Sequence, residues 1–213
     1  MIHTYCLYVS ITDMPVKIRQ AKNPTATRAT LLRVARKLFT ERGYAETATE
    51  EVVRRARVTR GALYHHFRDK QDLFKAVLDE EQIKLAASIK AVAAREPDPW
   101  RALMAGCHAF LDACLDSSVQ QILLTDAPAV LGWDGCREAD AMYYLDSVKA
   151  AIQAAIDQRL IAPQPVDALA RIILGALNEA AMLIAHAEDE RAARRDVSEV
   201  VDKLLGGIRI AGG

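Results

Sequence analysis

Between Thr49 and Lys70 the chain gathers side chains suited to an anionic, hydrogen-bonding surface. Arg60 carries a planar guanidinium that can take the O6/N7 edge of a guanine in two hydrogen bonds. Tyr64 adds a hydroxyl for a phosphate and a ring for a sugar or a thymine methyl. His65 and His66 add two imidazoles. Thr49 and Lys70 stand at expected helix starts, where a hydroxyl, an ammonium and backbone N–H groups suit phosphate oxygens.

The spacing of the apolar residues predicts the elements that hold this set. Val52, Val53 and Ala56 form the apolar side of a short helix, with Thr49 as its N-cap ahead of Glu50 and Glu51. Ala56-Arg57-Val58 makes a short connection. Thr59 then caps a second helix, Arg60 to about His66, with Leu63 and Phe67 facing inward at i, i+4. Two helices on a tight turn, the second displaying basic, hydroxyl and imidazole groups, form the pattern of a helix-turn-helix that reads the major groove.

The segment from about Thr25 to Leu78 resembles the DNA-binding domain of the TetR (tetracycline-repressor) family of transcriptional regulators. Ala35, Leu38, Phe39, Gly43, Tyr44, Thr49, Val52, Ala56 and Val58 carry the first part of the likeness. Thr59, Gly61, Ala62, Leu63, Tyr64, His66, Phe67, Lys70, Leu73 and Phe74 carry the second. The resemblance implies an all-α fold: an N-terminal three-helix helix-turn-helix domain and a helical C-terminal domain for ligand binding and dimerisation. It implies DNA contacts from Thr49, Thr59, Arg60, Gly61, Tyr64, His65, His66 and Lys70, with His66 the histidine that touches DNA. One position departs from the family, which usually has glycine where this chain has Arg57. If that turn needs a left-handed residue, arginine costs roughly 1–2 kcal/mol there. Otherwise the turn has another conformation, or Arg57 gains a phosphate contact.

Composition agrees with a helical reading, since 51% of the 213 residues are hydrophobic but only 6% aromatic. The zero net charge divides unevenly. Met14 to Lys70 holds 14 Lys+Arg against 5 Asp+Glu, leaving 14 against 23 elsewhere. A basic head on an acidic body suits one nucleic-acid face with the rest kept away from it. The cysteines at 6, 107, 114 and 136 have no metal-ligand spacing, so neither metal nor cofactor is expected. Cys107 and Cys114 are separated by about 10.5 Å along a helix, beyond the roughly 7 Å a disulfide spans. A reducing cytoplasm is expected, and no apolar run is expected to approach a membrane span. Nucleophile-elbow, phosphate-loop and metalloprotease motifs are missing, so no catalytic residues are assigned and the chain is not expected to be an enzyme.

Three regions follow. Residues 1–24 form an N-terminal arm, with a compositional break that predicts Met14 as the native start and a basic stretch from Lys17 to Lys22. Residues 25–70 form the helix-turn-helix domain and 71–213 the helical effector-binding and dimerisation domain. The first helix, capped by Thr25 or Thr27, runs to about Arg42 before Gly43. Asp69 caps a long connector that reaches about Ala94 and breaks at Glu96-Pro97-Asp98-Pro99. Body helices are predicted over Trp100–Ala113, Glu138–Leu160, Val166 to about His186 and Arg191–Leu205, with a short segment at Val119–Leu124 and a break or turn across Ala129–Trp133.

The 166–186 helix is apolar around most of its circumference, more than one core covers, which suggests pairing with a second copy; the alternative is a central helix buried within one chain. Gly175, Ala176, Ala180, Leu183, Val197, Val201 and Leu204 are the candidate homodimer residues, and the resemblance implies a four-helix bundle there. It also implies a small-molecule effector, with Met104, Cys107, His108, Leu111, Trp133, Tyr143, Asn178, Met182 and His186 as candidate lining. The partners expected are thus a double-stranded DNA operator, a second copy and an effector, for a ligand-responsive repressor on a palindromic site. The alternative is an effector-independent DNA-organising or partner-binding protein on the same fold.

Overall fold

Leu31, Leu32, Ala35, Leu38 and Phe39 recur at helical spacing and are buried in the first helix, around which the head assembles. The computed structural model describes residues 24–210. The expected start at Met14 and the basic arm from Lys17 to Lys22 lie outside the described residues. Helix α1, Pro24–Glu46, is interrupted at Gly43, whose φ of 76° and ψ of 168° stop the regular helix where the sequence predicts. Thr25 and Thr27 lie inside this helix, not at its cap, because helical geometry already begins at Pro24.

Helix α2, Thr49–Ala56, buries Val52 and Ala56, and α3, Arg60–His66, buries Leu63. The Thr59 hydroxyl accepts from the Ala62 N–H at 3.1 Å, capping α3 as expected. Thr49 is not a cap. Ala48 holds the N-cap position of α2 without a side-chain bond, and the Thr49 hydroxyl donates to Glu50 Oε2 at 3.3 Å. Arg57 answers the open question of the turn: φ 54° and ψ 43° are left-handed. The N–H of Val58 closes back on Val53 O at 3.2 Å, a left-handed helix end that ordinarily falls to glycine.

Asp69 caps α4, Lys70–Ala93, by accepting from the Asp72 N–H at 2.7 Å, while Asp72 accepts from the Arg68 N–H at 3.0 Å. The reciprocal pair fixes the start of the connector. Its first half belongs to the head core, where Phe74 packs edge-on to Phe39 and Tyr44, with ring centroids at 5.3 and 5.1 Å.

The body contains α5 (Pro99–Ala113), a π-helical segment (Val119–Asp126), α6 (Ala127–Asp140), a second π-helical segment (Ala141–Leu145), α7 (Asp146–Asp157), α8 (Val166–Ala185) and α9 (Glu190–Gly206). The expected break near Gly132 is present, with φ 72° and ψ 173°, but α6 continues on both sides of it. The helix predicted over 138–160 contains the π-turn at Ala141–Leu145 and ends at Asp157. Among the described residues the extended pairing is an isolated bridge between Ile161 and Arg209, so the fold is all-α. Helix α8 corrects one expectation, since by length and composition it is apolar enough to cross a membrane, with a mean hydropathy of 1.6. Its inner face, including Ile173, Ala181 and Ile184, is part of the body core.

Two cores result, but the first is not confined to the first 70 residues. Leu73, Phe74, Val77 and Leu78 of α4 and Ile122 and Ala127 of the body belong to the head core, with Leu123, Val130 and Leu131 packed against it. Polar contacts seal this junction. Asp126 accepts from the Tyr44 N–H at 2.7 Å and from Gln121 Nε2 at 3.1 Å. Arg36 pairs with the buried Glu81 at 2.7 Å and donates to Ser118 Oγ at 3.0 Å.

Candidate nucleic-acid interface and interior cavity

Burying Leu63 and Phe67 turns the opposite side of α3 outward, and Arg60, Gly61, Tyr64 and His65 are exposed there, with His66 half-buried beside them. The Arg60 guanidinium lies over the Tyr64 ring, 5.5 Å from its centroid, and 3.9 Å from Glu50 Oε1. His65 and His66 meet edge to face at 5.1 Å. Thr49, Arg54, Arg60 and Tyr64 line a small groove between α2 and α3. A planar cation stacked on a phenol at the mouth of this groove can read a base edge while the ring meets a sugar or a methyl group.

Neighbouring cations are partnered by half-buried carboxylates on the rim of the head. Arg54 and Arg55 both bind Glu51 at 2.7 Å, and Arg68 binds Asp72 at 3.0 Å. The two guanidiniums, by hydrogen bonding, hold the Glu51 carboxyl down at about 2. Surface pairs of this kind contribute little to stability, so phosphates can compete for the same arginines. Lys70 is placed differently from a free phosphate contact. Its ammonium donates to Ala45 O at 3.1 Å and sits 4.3 Å from the Tyr44 ring centroid, and burial lowers its pKa.

Some 560 Å³ of interior space lies between the second half of α4, α5, the second π-segment, α7 and α8. Ala86, Ile89 and Ala93 of α4 form one wall, and Leu103, Gly106 and Phe110 of α5 another. Asp140, Tyr143, Tyr144 and Asn178 bring the main polar groups. Asn178 donates to Asp140 Oδ2 at 2.6 Å, and burial raises the Asp140 carboxyl above the usual carboxylate range. Tyr143 donates to Asp79 Oδ1 at 3.0 Å and Tyr144 donates to Gln82 Oε1, so both phenols hold the connector. Burial, then the bond to Asp79, pushes the Tyr143 hydroxyl up to about 12.

Of the nine residues expected to line such a space, Cys107, Tyr143 and Asn178 do so. The others are directed elsewhere. Leu111 is core, and Met104 packs against that core. His108 meets Asp202 of α9 at 2.8 Å, His186 closes on Met182 O at 2.8 Å at the end of α8, and Met182 is half-buried outside the cavity lining. Trp133 is 68% exposed, beside the break at Gly132. Asp140, Tyr144 and Phe110 escape the sequence reading, although Asp140, Tyr143 and Tyr144 stand at i, i+3, i+4 spacing on one helical side.

A second correction concerns the outer face of α8 and α9. Gly175, Ala176, Leu183 and Leu204 are exposed, as a docking face requires, but Ala180 and Val201 are 5% and 7% exposed and belong to the body core. Val197 packs against the same core. Ile172 and Val200, at 68% and 56% exposure, complete the stripe instead. The helical phase explains the exchange: 172, 175, 176, 179 and 183 share one side of α8, and 200 and 204 one side of α9.

Comparison with known proteins covers both halves. Residues 31–77 match the model of bacterial regulatory proteins of the tetR family, and residues 100–208 match the tetracyclin repressor-like C-terminal domain. The chain is 28% identical over 162 residues to the Transposon Tn10 TetC protein of Escherichia coli, covering 76% of this chain and 82% of that one. It is 33% identical over 111 residues to the HTH-type transcriptional repressor BepR of Brucella suis, covering 51% of this chain and 53% of that one. A crystal structure of a TetR-family transcriptional regulator from Pectobacterium atrosepticum superposes with a TM-score of 0.78 at 37% identity, over 90% of this chain and 98% of that one. With a helix-turn-helix head and a helical body both matched, the chain belongs to the TetR family and is a DNA-binding transcriptional regulator.

Proposed function

We propose that the protein is a cytoplasmic, ligand-responsive repressor that binds a palindromic operator as a homodimer. The observation that carries this reading is the exposed face of α3, where Arg60, Tyr64 and the two histidines stand over a groove shared with α2. Arg60 reads a guanine edge, Tyr64 and His66 touch the sugar-phosphate backbone, and Thr49 meets a phosphate at the start of α2. Gly61 leaves the start of α3 without a side chain, so the backbone can approach the groove, while Thr59 holds its cap. His65 contributes at the margin. Lys70 first braces α1 against α4 and shares its remaining protons with phosphate.

The dimer forms through the exposed stripe of α8 and α9, which sets two recognition helices against two half-sites about 34–36 Å apart or a multiple of that. Effector binding in the cavity displaces α4, because the cavity wall and the head core use opposite halves of one helix. Repression is relieved if the ligand prefers the conformer that does not bind DNA.

Footprinting on the intergenic DNA beside the protein's own gene tests this reading. A short two-fold protected site is expected, and Arg60→Ala is expected to relax base preference at one position of each half-site, at about 1–3 kcal/mol. Protection without defined boundaries, or an Arg60→Ala protein with unchanged base preference, refutes it.

A further inference from the structure

We propose that the cavity selects an amphipathic organic cation: an apolar, ring-bearing body with one amine or amidine that pairs with Asp140. This inference rests on reading the cavity as the effector site and assigns the chemistry of its occupant. The walls are dominated by Ala, Leu, Ile and Val, which favour an apolar body and give it no orientation. Orientation falls to the one carboxylate among the lining residues, Asp140.

The surroundings of Asp140 are incomplete for an anion. Its Oδ2 accepts from the neutral amide of Asn178, and among the described residues no cation pairs with it. The two phenols that could donate to it are turned away, Tyr143 to Asp79 and Tyr144 to Gln82. A carboxylate withdrawn from water and held by one amide is costly unless a further donor or counter-charge arrives. A ligand ammonium supplies both. Phe110, Tyr143 and Tyr144 line the same space, and aromatic rings attract cations that approach their faces. Lys90, the other charged lining residue, is exposed, so water screens it far more than Asp140.

The volume, about 560 Å³, accommodates a two-ring molecule. The test uses three probes of matched shape on the full-length protein: 2-naphthylmethylamine, 2-naphthylmethanol and 2-naphthoate, with affinities measured by titration calorimetry. The amine is expected to bind at least about tenfold more tightly than the alcohol, and the carboxylate more weakly than either. Asp140→Asn is expected to remove the amine's advantage and leave the alcohol within about threefold. Ser147→Trp, a change at an exposed lining residue, is expected to weaken all three. If amine and alcohol bind equally and Ser147→Trp blocks both, the cavity remains a ligand site and the cation preference is overturned. Carboxylate binding tighter than amine overturns it as well. If none of the probes binds the wild-type protein, the effector-site reading fails and the inference falls with it. The wild-type comparison needs no folded variant.

Discussion

Arg57 holds a φ of 54° where a side chain with a Cβ is strained, and the strain can be isolated by comparing two substitutions there. Arg57→Ala and Arg57→Gly both remove the guanidinium and whatever it contacts. They differ in the Cβ alone. A left-handed backbone costs an L-residue roughly 1–2 kcal/mol, and glycine returns part of that, about 0.5–1 kcal/mol, through its freer unfolded chain. Taken at matching ends of the two ranges, the glycine variant should therefore be more stable than the alanine variant by about 0.5–1 kcal/mol. For a chain of this length, 1 kcal/mol shifts Tm by about 2–4 °C, so a difference of roughly 1–4 °C is expected between the two in calorimetry. Operator affinity adds a second measure. If Arg57 meets a phosphate, both variants lose about one unit from the slope of log K against log salt, equally. Equal melting temperatures, or alanine melting higher, would refute the assignment of backbone strain to this turn.

Two further perturbations probe the junction and the head. Asp126→Ala leaves the Tyr44 N–H without its 2.7 Å acceptor at a nearly buried site, and a cost of about 1–3 kcal/mol is expected in denaturant unfolding; an unchanged midpoint would show that water replaces the carboxylate. Glu51, held at about 2 against an ordinary 4.5, contributes a small, solvent-screened part of the stability, present above pH 4.5 and lost as pH falls toward 2. Glu51→Gln should accordingly flatten the acid limb of the melting profile between those values, and a curve parallel to wild type would remove Glu51 from the account.

The helix-turn-helix was legible because local rules agree there: Thr59 before an apolar i, i+4 pair, Asp69 before Asp72, and Gly43 after an unbroken stripe. Most helices of the body were legible for the same reason, but α6 was not: a break or turn is expected across Ala129–Trp133, where the helix runs from Ala127 to Asp140 around the kink at Gly132. What the sequence could not reveal depends on distant residues. Nothing local tells that Ile122 and Ala127 pack into the head, since an apolar residue in a body helix reads alike whichever core receives it. Helical phase explains the cavity errors. His108 is a polar residue on an apolar helix, the pattern sought for a ligand contact, yet it turns toward Asp202 of α9. The π-turn at Ala141–Leu145 shifts the phase again, bringing Tyr144 beside Tyr143 onto the connector.

The participation of Ile122 and Ala127 in the head core bears on how such proteins can be recombined. A chimera that grafts this reading head onto another sensor body, spliced at the start or end of the connector, would leave behind part of the floor on which α1 rests. The graft would expose Leu31, Phe39 and their neighbours to whatever segment the new body offers, and Tyr44 would lose its carboxylate. The exchangeable unit is discontinuous in sequence: residues 24–81 together with 118–136, carried as a matched pair. Operator specificity can then diversify freely on the outer side of α3, but the sensor is constrained to keep a socket for the head it already has.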